Sequence, residues 1–272
     1  MAQWEKPQAR PLDMETPSVA RMYDYLLGGS ENFQPDREAC TRLLQIAPST
    51  QKLARNNRAF LQRIVRILVR DFGVTQFLDH GSGLPTQDNV HEIAQRIKPE
   101  AKVAYIDNDP MVLAHGRTTL RKNSNVMVID QDMRNTKEIL ESTKEFFNWE
   151  KPIAALFVSV LHCLPDTDDD RDPAALVKRV AAALPSKSYM VICQLVSDSP
   201  DVRDGATALM AEVTQQNWGR VRETHEVRRY FDGLEILPPD LVEVVDWRPD
   251  TPPPPQHLRA TDWIEWGGVG RT

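Results

Sequence analysis

Gln76-Phe77-Leu78-Asp79-His80-Gly81-Ser82-Gly83-Leu84-Pro85-Thr86 is the stretch that decides how this chain is read. An apolar run ends in a carboxylate and passes at once into Gly-x-Gly, the pattern of a strand whose carboxyl end turns tightly beside a ligand. Two glycines let the backbone lie against a bound molecule where a Cβ would clash. The dinucleotide fingerprint G-x-G-x-x-G needs a third glycine at position 86, where Thr86 stands, and Pro85 stiffens the turn. An acid ahead of the glycines repels a pyrophosphate but attracts an ammonium through charge-assisted hydrogen bonds. The turn therefore speaks against a nicotinamide-dependent oxidoreductase and for a ligand with a methionine-like amino group, as in S-adenosylmethionine.

Outward from this turn, apolar runs at 76–79, 102–107, 126–130, 153–160 and 188–195 alternate with segments long enough for crossover helices. That is a βαβ series and predicts a mostly parallel sheet. Toward the N-terminus, Val19, Met22, Tyr23, Leu26 and Leu27 recur at helical steps until Gly28-Gly29 stops the pattern as a C-cap does. Helical stretches at 35–47 and 52–70 follow, the second carrying Leu53, Phe60, Leu61, Ile64, Val65, Leu68 and Val69 on one stripe. Beyond the fifth strand, helices are expected over about 202–217 and 224–232, and strands near 241–247 and 261–266. Residues 1–17, with Pro7, Pro11 and Pro17 among polar neighbours, read as a loose arm, and Pro252 to Pro255 as a stiff spacer.

The strand ends carry the chemistry. The second ends at Asp107-Asn108-Asp109-Pro110, where the Asp107 carboxylate is placed to accept the two hydroxyls of a ribose; Asp109 reads as the start of the next helix. The third ends at Asp130-Gln131-Asp132-Met133, where an acid can meet an adenine amino group and Met133 can pack on the ring. The fourth brings Ser159 and His162 to the same edge. His162 is a candidate base, although a histidine in an apolar run is more often a packed side chain. No acid/base constellation marks a catalytic residue. Open α/β sheets bind ligands outside the carboxyl ends of their strands, so the series says more than any one member.

The 33 basic and 39 acidic residues give a net charge of −6, which opposes a broad nucleic-acid footprint and favours a small-molecule partner. Hydrophobic residues at 41% suffice for a sizeable core. Cys40, Cys163 and Cys193 are odd in number and widely spaced, as in a protein of reduced thiols, and no Cys/His cluster has metal-ligand spacing. The opening residues lack a signal-peptide pattern and no long apolar run is present, so a soluble, cytoplasmic protein without membrane contact is expected.

Together these residues resemble the class I, Rossmann-like methyltransferases that use S-adenosylmethionine. The stretch Ser18-Val19-Ala20-Arg21-Met22-Tyr23-Asp24-Tyr25-Leu26-Leu27-Gly28-Gly29, with Asn32-Phe33 and Asp36-Arg37-Glu38-Ala39, is similar to the opening of a largely uncharacterised actinomycete S-adenosyl methyltransferase family. So are Gly81 to Thr86 with Asn89-Val90-His91-Glu92, Leu113-Ala114-His115, and the closing Gly267-Gly268-Val269-Gly270-Arg271. The resemblance implies an α/β fold with a seven-stranded, mostly parallel sheet, its last strand antiparallel, and an N-terminal helical extension. Residues 1–72 would form an arm and lid on a core of 73–272, all one structural unit. It implies that Asp79, Gly81, Ser82 and Gly83 face the methionine part of the cofactor, Asp107 and Asn108 the ribose, and Asp132 and Met133 the adenine. Ser159 and His162 would lie at the fourth strand's edge, with Tyr23, Gly28, Gly29 and Asn32 in the lid. The chain departs from the family pattern at His80, where an aliphatic residue is expected, and at Ser82, where Thr is usual. A non-catalytic module that senses S-adenosylmethionine is the alternative, given the missing base. Acceptor choice would rest on the N-terminal helices and on residues 198–240, with Trp218, His225, Arg228, Arg229, Tyr230 and Phe231.

Overall fold

A computed structural model describes residues 12–86, 88–119 and 123–272. Most of the arm expected over 1–17 lies outside the described residues. Three helices come first, as the periodicity predicts: α1 (Val19–Leu27), α2 (Gln34–Ile46) and α3 (Thr50–Asp71). The alternating part follows as β1 (Gln76–His80), α4 (Val90–Ile97), β2 (Lys102–Asp107), α5 (Pro110–Thr119), β3 (Val126–Asp130), α6 (Thr136–Thr143) and β4 (Ala154–Val158). After a short 3-10 turn, Leu161–Cys163, come α7 (Pro173–Ala183), β5 (Tyr189–Val196), α8 (Pro200–Val213) and α9 (Thr224–Arg228). Two-residue strands β6 (Glu235–Ile236) and β7 (Val242–Glu243) and the long β8 (Ile264–Arg271) close the fold.

The sheet order is β3-β2-β1-β4-β5-β8-β6, with β7 also paired to β8. The first five strands are parallel to one another, and β8 runs antiparallel to β5 from Val196↔Ile264 to Tyr189↔Arg271. This is the expected Rossmann-like sheet, but its sixth position is split. In place of a strand at 241–247, β6 and β7 are short pieces separated by Pro238 and Pro239, which donate no ladder hydrogen bond. The chain then turns, with Asp246 N donating to Glu243 O, and buries Trp247 edge-on against Phe60. The last strand begins and ends later than 261–266 because its glycines pair rather than turn. A side chain at Gly267 would sit 2.0 Å from Ile192 O, so β8 can lie this close to β5 only as glycine.

Strand residues alternate between two apolar layers. Phe77, Val103, Tyr105, Leu156 and Val191 pack with the stripe of α3 and with α4; Leu78, Ala104, Ile106, Phe157 and Ile192 pack with α6 and α7. Burial on both faces explains why these strands read as continuous apolar runs. His80, at a position expected to be aliphatic, is buried and stacked on Phe157 at 4.2 Å; burial pushes its pKa down to about 4, so it packs as a neutral ring. A third apolar cluster joins α1, α2 and the start of α3 to α8, Trp218 and Trp263, over the carboxyl edge of the sheet. Asp36 locks this cap. Its carboxylate accepts from Ser18 N at 2.9 Å, Phe33 N at 2.8 Å and buried Arg21 Nε at 2.8 Å. No described helix is long and apolar enough to cross a membrane, and the three cysteines are free thiols.

Candidate active site

A cavity of about 660 Å³ runs along the carboxyl edge of the sheet beneath α1 and α3, within the range of small-molecule sites. Of the residues singled out in the sequence, Tyr23, Asp79, Gly81, Ser82, Gly83, Asp107, Asn108, Asp132, Met133, Ser159 and His162 all line it. Gly28, Gly29 and Asn32 do not. Gly28 closes α1 in a left-handed conformation, Gly29 N donates to Asp24 O, and Asn32 Nδ2 donates to the buried Asp24 carboxylate at 2.8 Å. These three shape the end of the covering helix instead of meeting its contents.

At one end, the turn after β1 folds onto β2. Gly81 N and Ser82 N donate to Ile106 O, and Gly83 N donates to Asp107 Oδ2 at 2.9 Å. Gly83 has a φ of +66°, a region side chains rarely adopt, and nothing lies within 4 Å of where a Cβ would point. Asp107 is held further by Asn108 N and Asp109 N, both donating to Oδ1. Burial raises its pKa while these backbone N–H groups pull it back, leaving a fixed carboxylate with spare lone pairs toward the cavity. Asp79 is buried, and burial pushes its pKa up to about 7, with nearby Arg58 opposing and Asp107 adding to the rise. Asp132 is engaged by its neighbour Arg134, whose Nε donates to Oδ1 at 2.9 Å, so its carboxylate is already paired. Met133 offers the apolar surface beside it.

Asp109 starts α5, as the sequence suggests, by accepting from Met111 N at 2.8 Å. Its other oxygen accepts from Ser18 Oγ, which ties the start of α1 to the β2 turn. Tyr23 donates its hydroxyl to Ala54 O at 3.1 Å and accepts from Asn57 Nδ2 at 3.0 Å, which leaves its ring as a wall; burial raises its pKa, so the hydroxyl stays protonated.

The other end is built from β4, β5 and β8. Ser159 follows β4 with a φ of +57°, a left-handed backbone uncommon for serine, and its hydroxyl donates to Glu265 Oε1. Glu265 is 2% exposed and its Oε2 has no partner; burial raises its pKa to about 8. His162 is 3% exposed, packs against Trp218 with ring centroids 5.1 Å apart, and has an unpartnered Nδ1. Burial and nearby Arg222 push its pKa down to about 3, so the ring is neutral. Trp218 and Trp263 also line this end, each with an unpartnered buried Nε1.

Sequence reasoning missed Ser18, Trp263 and Glu265. Of the 198–240 candidates, Trp218 alone lines the cavity; Tyr230 and Phe231 are buried with the strand layer next to α7, and His225 is exposed.

A model of a family described as S-adenosyl methyltransferase matches residues 5–272. A candidate methyltransferase from Thermobifida fusca, known from a crystal structure, is 35% identical with a TM-score of 0.87, covering 100% of this chain and 99% of that one. A DUF574 family protein from Streptomyces avermitilis is 30% identical with a TM-score of 0.85, covering 96% and 99%. A search of curated proteins gives no match. The match over nearly the whole length and the shared fold place the chain in this S-adenosyl methyltransferase family, as an enzyme whose cofactor is S-adenosylmethionine.

Proposed function

We propose that this enzyme methylates a small-molecule acceptor held in the same cavity as the cofactor, at the end built from β4, β5 and β8. The carrying observation is the division of one cavity into two chemically distinct ends: carboxylates and glycine backbone under β1 and β2, aromatic rings and unpartnered polar atoms under β4 and β8. The first end fits the cofactor by the chemistry of its donor set. Asp107, steadied by three backbone N–H groups, is suited to accept two ribose hydroxyls, and Asp79 to accept an ammonium. Gly81, Ser82 and Gly83 would give backbone room along the methionine part, with Asn108 beside the ribose. Met133 would pack on the adenine; Asp132, already paired with Arg134, would contribute its neighbouring backbone and shape more than a free carboxylate. Bound there, S-adenosylmethionine supplies a methyl group on a sulfonium, ready for transfer to a nucleophile.

The protein's own contribution is orientation and exclusion of water. Tyr23 and the third apolar cluster cover the cavity, so the described part of the N-terminal extension, residues 12–72, would act as a lid on the core of 73–272, with Gly28, Gly29 and Asn32 shaping the lid's first turn. The three free thiols suit a cytoplasmic setting. Calorimetric titration with S-adenosylmethionine, S-adenosylhomocysteine and NAD tests the reading: micromolar binding of both adenosyl ligands and none of NAD is expected. Absence of adenosyl binding to the folded protein would overturn the assignment of every strand-end residue together.

A further inference from the structure

The acceptor end of the cavity holds a carboxyl group with unusual accounting. Glu265 is buried, Ser159 donates to one of its oxygens, and the other has no hydrogen-bond partner. Among the described residues no Lys, Arg or His forms an ion pair with it; the buried thiol of Cys193 faces it beside Ser159, and burial outweighs both in raising its pKa. A buried carboxyl with an orphaned oxygen costs free energy in the empty protein. Ser159 holds a left-handed φ of +57°, a backbone conformation that side chains rarely adopt and that recurs at functional sites, and its hydroxyl donates to Glu265. Trp263 immediately precedes β8 and Glu265 is the strand's second residue, and both line the cavity with Tyr23 and Trp218.

We propose, building on the methyl-transfer reading above, that Glu265 recognises the acceptor and that the acceptor is a small amine. The amine nitrogen donates to Oε2, and the rings of Tyr23, Trp218 and Trp263 enclose the adjoining carbon skeleton, where aromatic faces also favour a cation. The unpartnered Nε1–H groups of Trp218 and Trp263 donate to an oxygen elsewhere on the same molecule. An ammonium supplies what the carboxyl lacks, a donor and a positive charge, whereas an alcohol supplies the donor alone. Because burial raises the carboxyl to about 8, it also exchanges a proton readily near neutral pH. An amine arriving as an ammonium gives one proton to Oε2; the N–H bonding pair stays on nitrogen as the lone pair that a nucleophile needs, and Glu265 becomes a neutral acid.

The test is binding, in the presence of saturating S-adenosylhomocysteine so that no turnover intervenes. Benzylamine and 4-methoxybenzylamine are titrated beside benzyl alcohol and 4-methoxybenzyl alcohol, with wild type, Glu265→Gln and Ser159→Ala. The amines are expected to bind at least tenfold tighter than the matched alcohols, the difference to vanish in Glu265→Gln, and Ser159→Ala to weaken the amines by a smaller factor. Unchanged affinity of both variants for S-adenosylhomocysteine shows that they are folded. Equal binding of amines and alcohols, amine binding untouched by Glu265→Gln, or no amine binding at all overturns the proposal. If wild type fails to bind S-adenosylhomocysteine, the methyl-transfer reading fails instead, and the two failures are separate.

Discussion

Replacing Asp79 by Asn should make the empty protein more stable and the loaded protein weaker. Burial raises the Asp79 carboxyl from 3.8 to about 7, a gap worth about 4 kcal/mol of native-state cost once the group is ionised. The sign follows from proton counting. Between pH 4 and 7 the native protein holds a proton on Asp79 that the unfolded chain has released, so stability falls as pH rises through that window and stays reduced above it. An amide at this position carries no charge to desolvate but still loses water, so about half of the cost, roughly 2 kcal/mol, should be recovered at pH 8. For a chain of this size that is a rise in Tm of about 4–8 °C, shrinking toward zero at pH 5 where the wild-type group is already neutral. Cofactor binding moves the other way. An ammonium needs the ionised carboxylate, so wild-type affinity for S-adenosylhomocysteine should fall by up to about tenfold per pH unit below 7, while Asp79→Asn should be weaker by tenfold or more at pH 8 and nearly flat with pH. Thermal melts of the ligand-free proteins and calorimetry at pH 5, 6, 7 and 8 supply both readings. The same pH slope in both proteins, or a variant less stable than wild type at pH 8, would refute the assignment of this carboxylate to the ligand's ammonium.

Three further outcomes are expected. Asp107→Ala removes the acceptor for three backbone N–H groups as well as the proposed ribose contact; calorimetry should show at least a tenfold loss of S-adenosylhomocysteine affinity, and unchanged affinity would remove Asp107 from the proposed ribose site. Arg222 is 2% exposed and its guanidinium donates to Leu161 O at 3.2 Å, to Leu164 O at 2.8 Å and to Asp166 Oδ1; Arg222→Ala leaves Leu161 O only its bond from Leu164 N, takes from Leu164 O and Asp166 their buried donor, and should lower urea stability by about 2–4 kcal/mol, with a change under 1 kcal/mol counting against that role. Ser18→Ala cuts the hydroxyl bond to Asp109 that ties α1 to the β2 turn. The loss of about 1 kcal/mol should speed S-adenosylhomocysteine release about fivefold in stopped flow, and an unchanged rate would mean that the cover does not gate release.

The parallel core and the strand-end residues that line the cavity were legible because they are local. A helical stripe such as Phe60, Ile64, Leu68 or a strand end such as Asp107-Asn108-Asp109 declares itself within a few residues, and β2 and β3 fall where the apolar runs are. What the sequence hid depends on contacts between distant segments. In Trp263-Ile264-Glu265-Trp266 the acid reads as the solvated member of an alternating strand, and only the placement of α1 and α3 over that face makes it buried. The left-handed backbone of Ser159 has no signature in its residue type. Gly28 and Gly29 look the same in sequence whether they hinge a lid or cap a helix, and the structure shows the cap. Pro238 and Pro239 interrupt the sixth strand position, whereas the apolar residues after them read as one strand near 241–247.

The cavity joins Tyr23, from the first described helix, to Glu265, on the last strand. Closing such a span comes late in folding, since distant contacts reward the chain only after its loop entropy is spent. A half-folded molecule with a finished sheet but an undocked α1 or an unpaired β8 therefore has no enclosed chamber to offer. Cofactor present during folding acts as an inspector of the finished product, withholding its stabilisation from intermediates and granting the complete molecule about 2.7 kcal/mol at a hundred times its Kd. In a cell, the supply of cofactor would then help to set how many copies of this chain survive as well as how fast each one works.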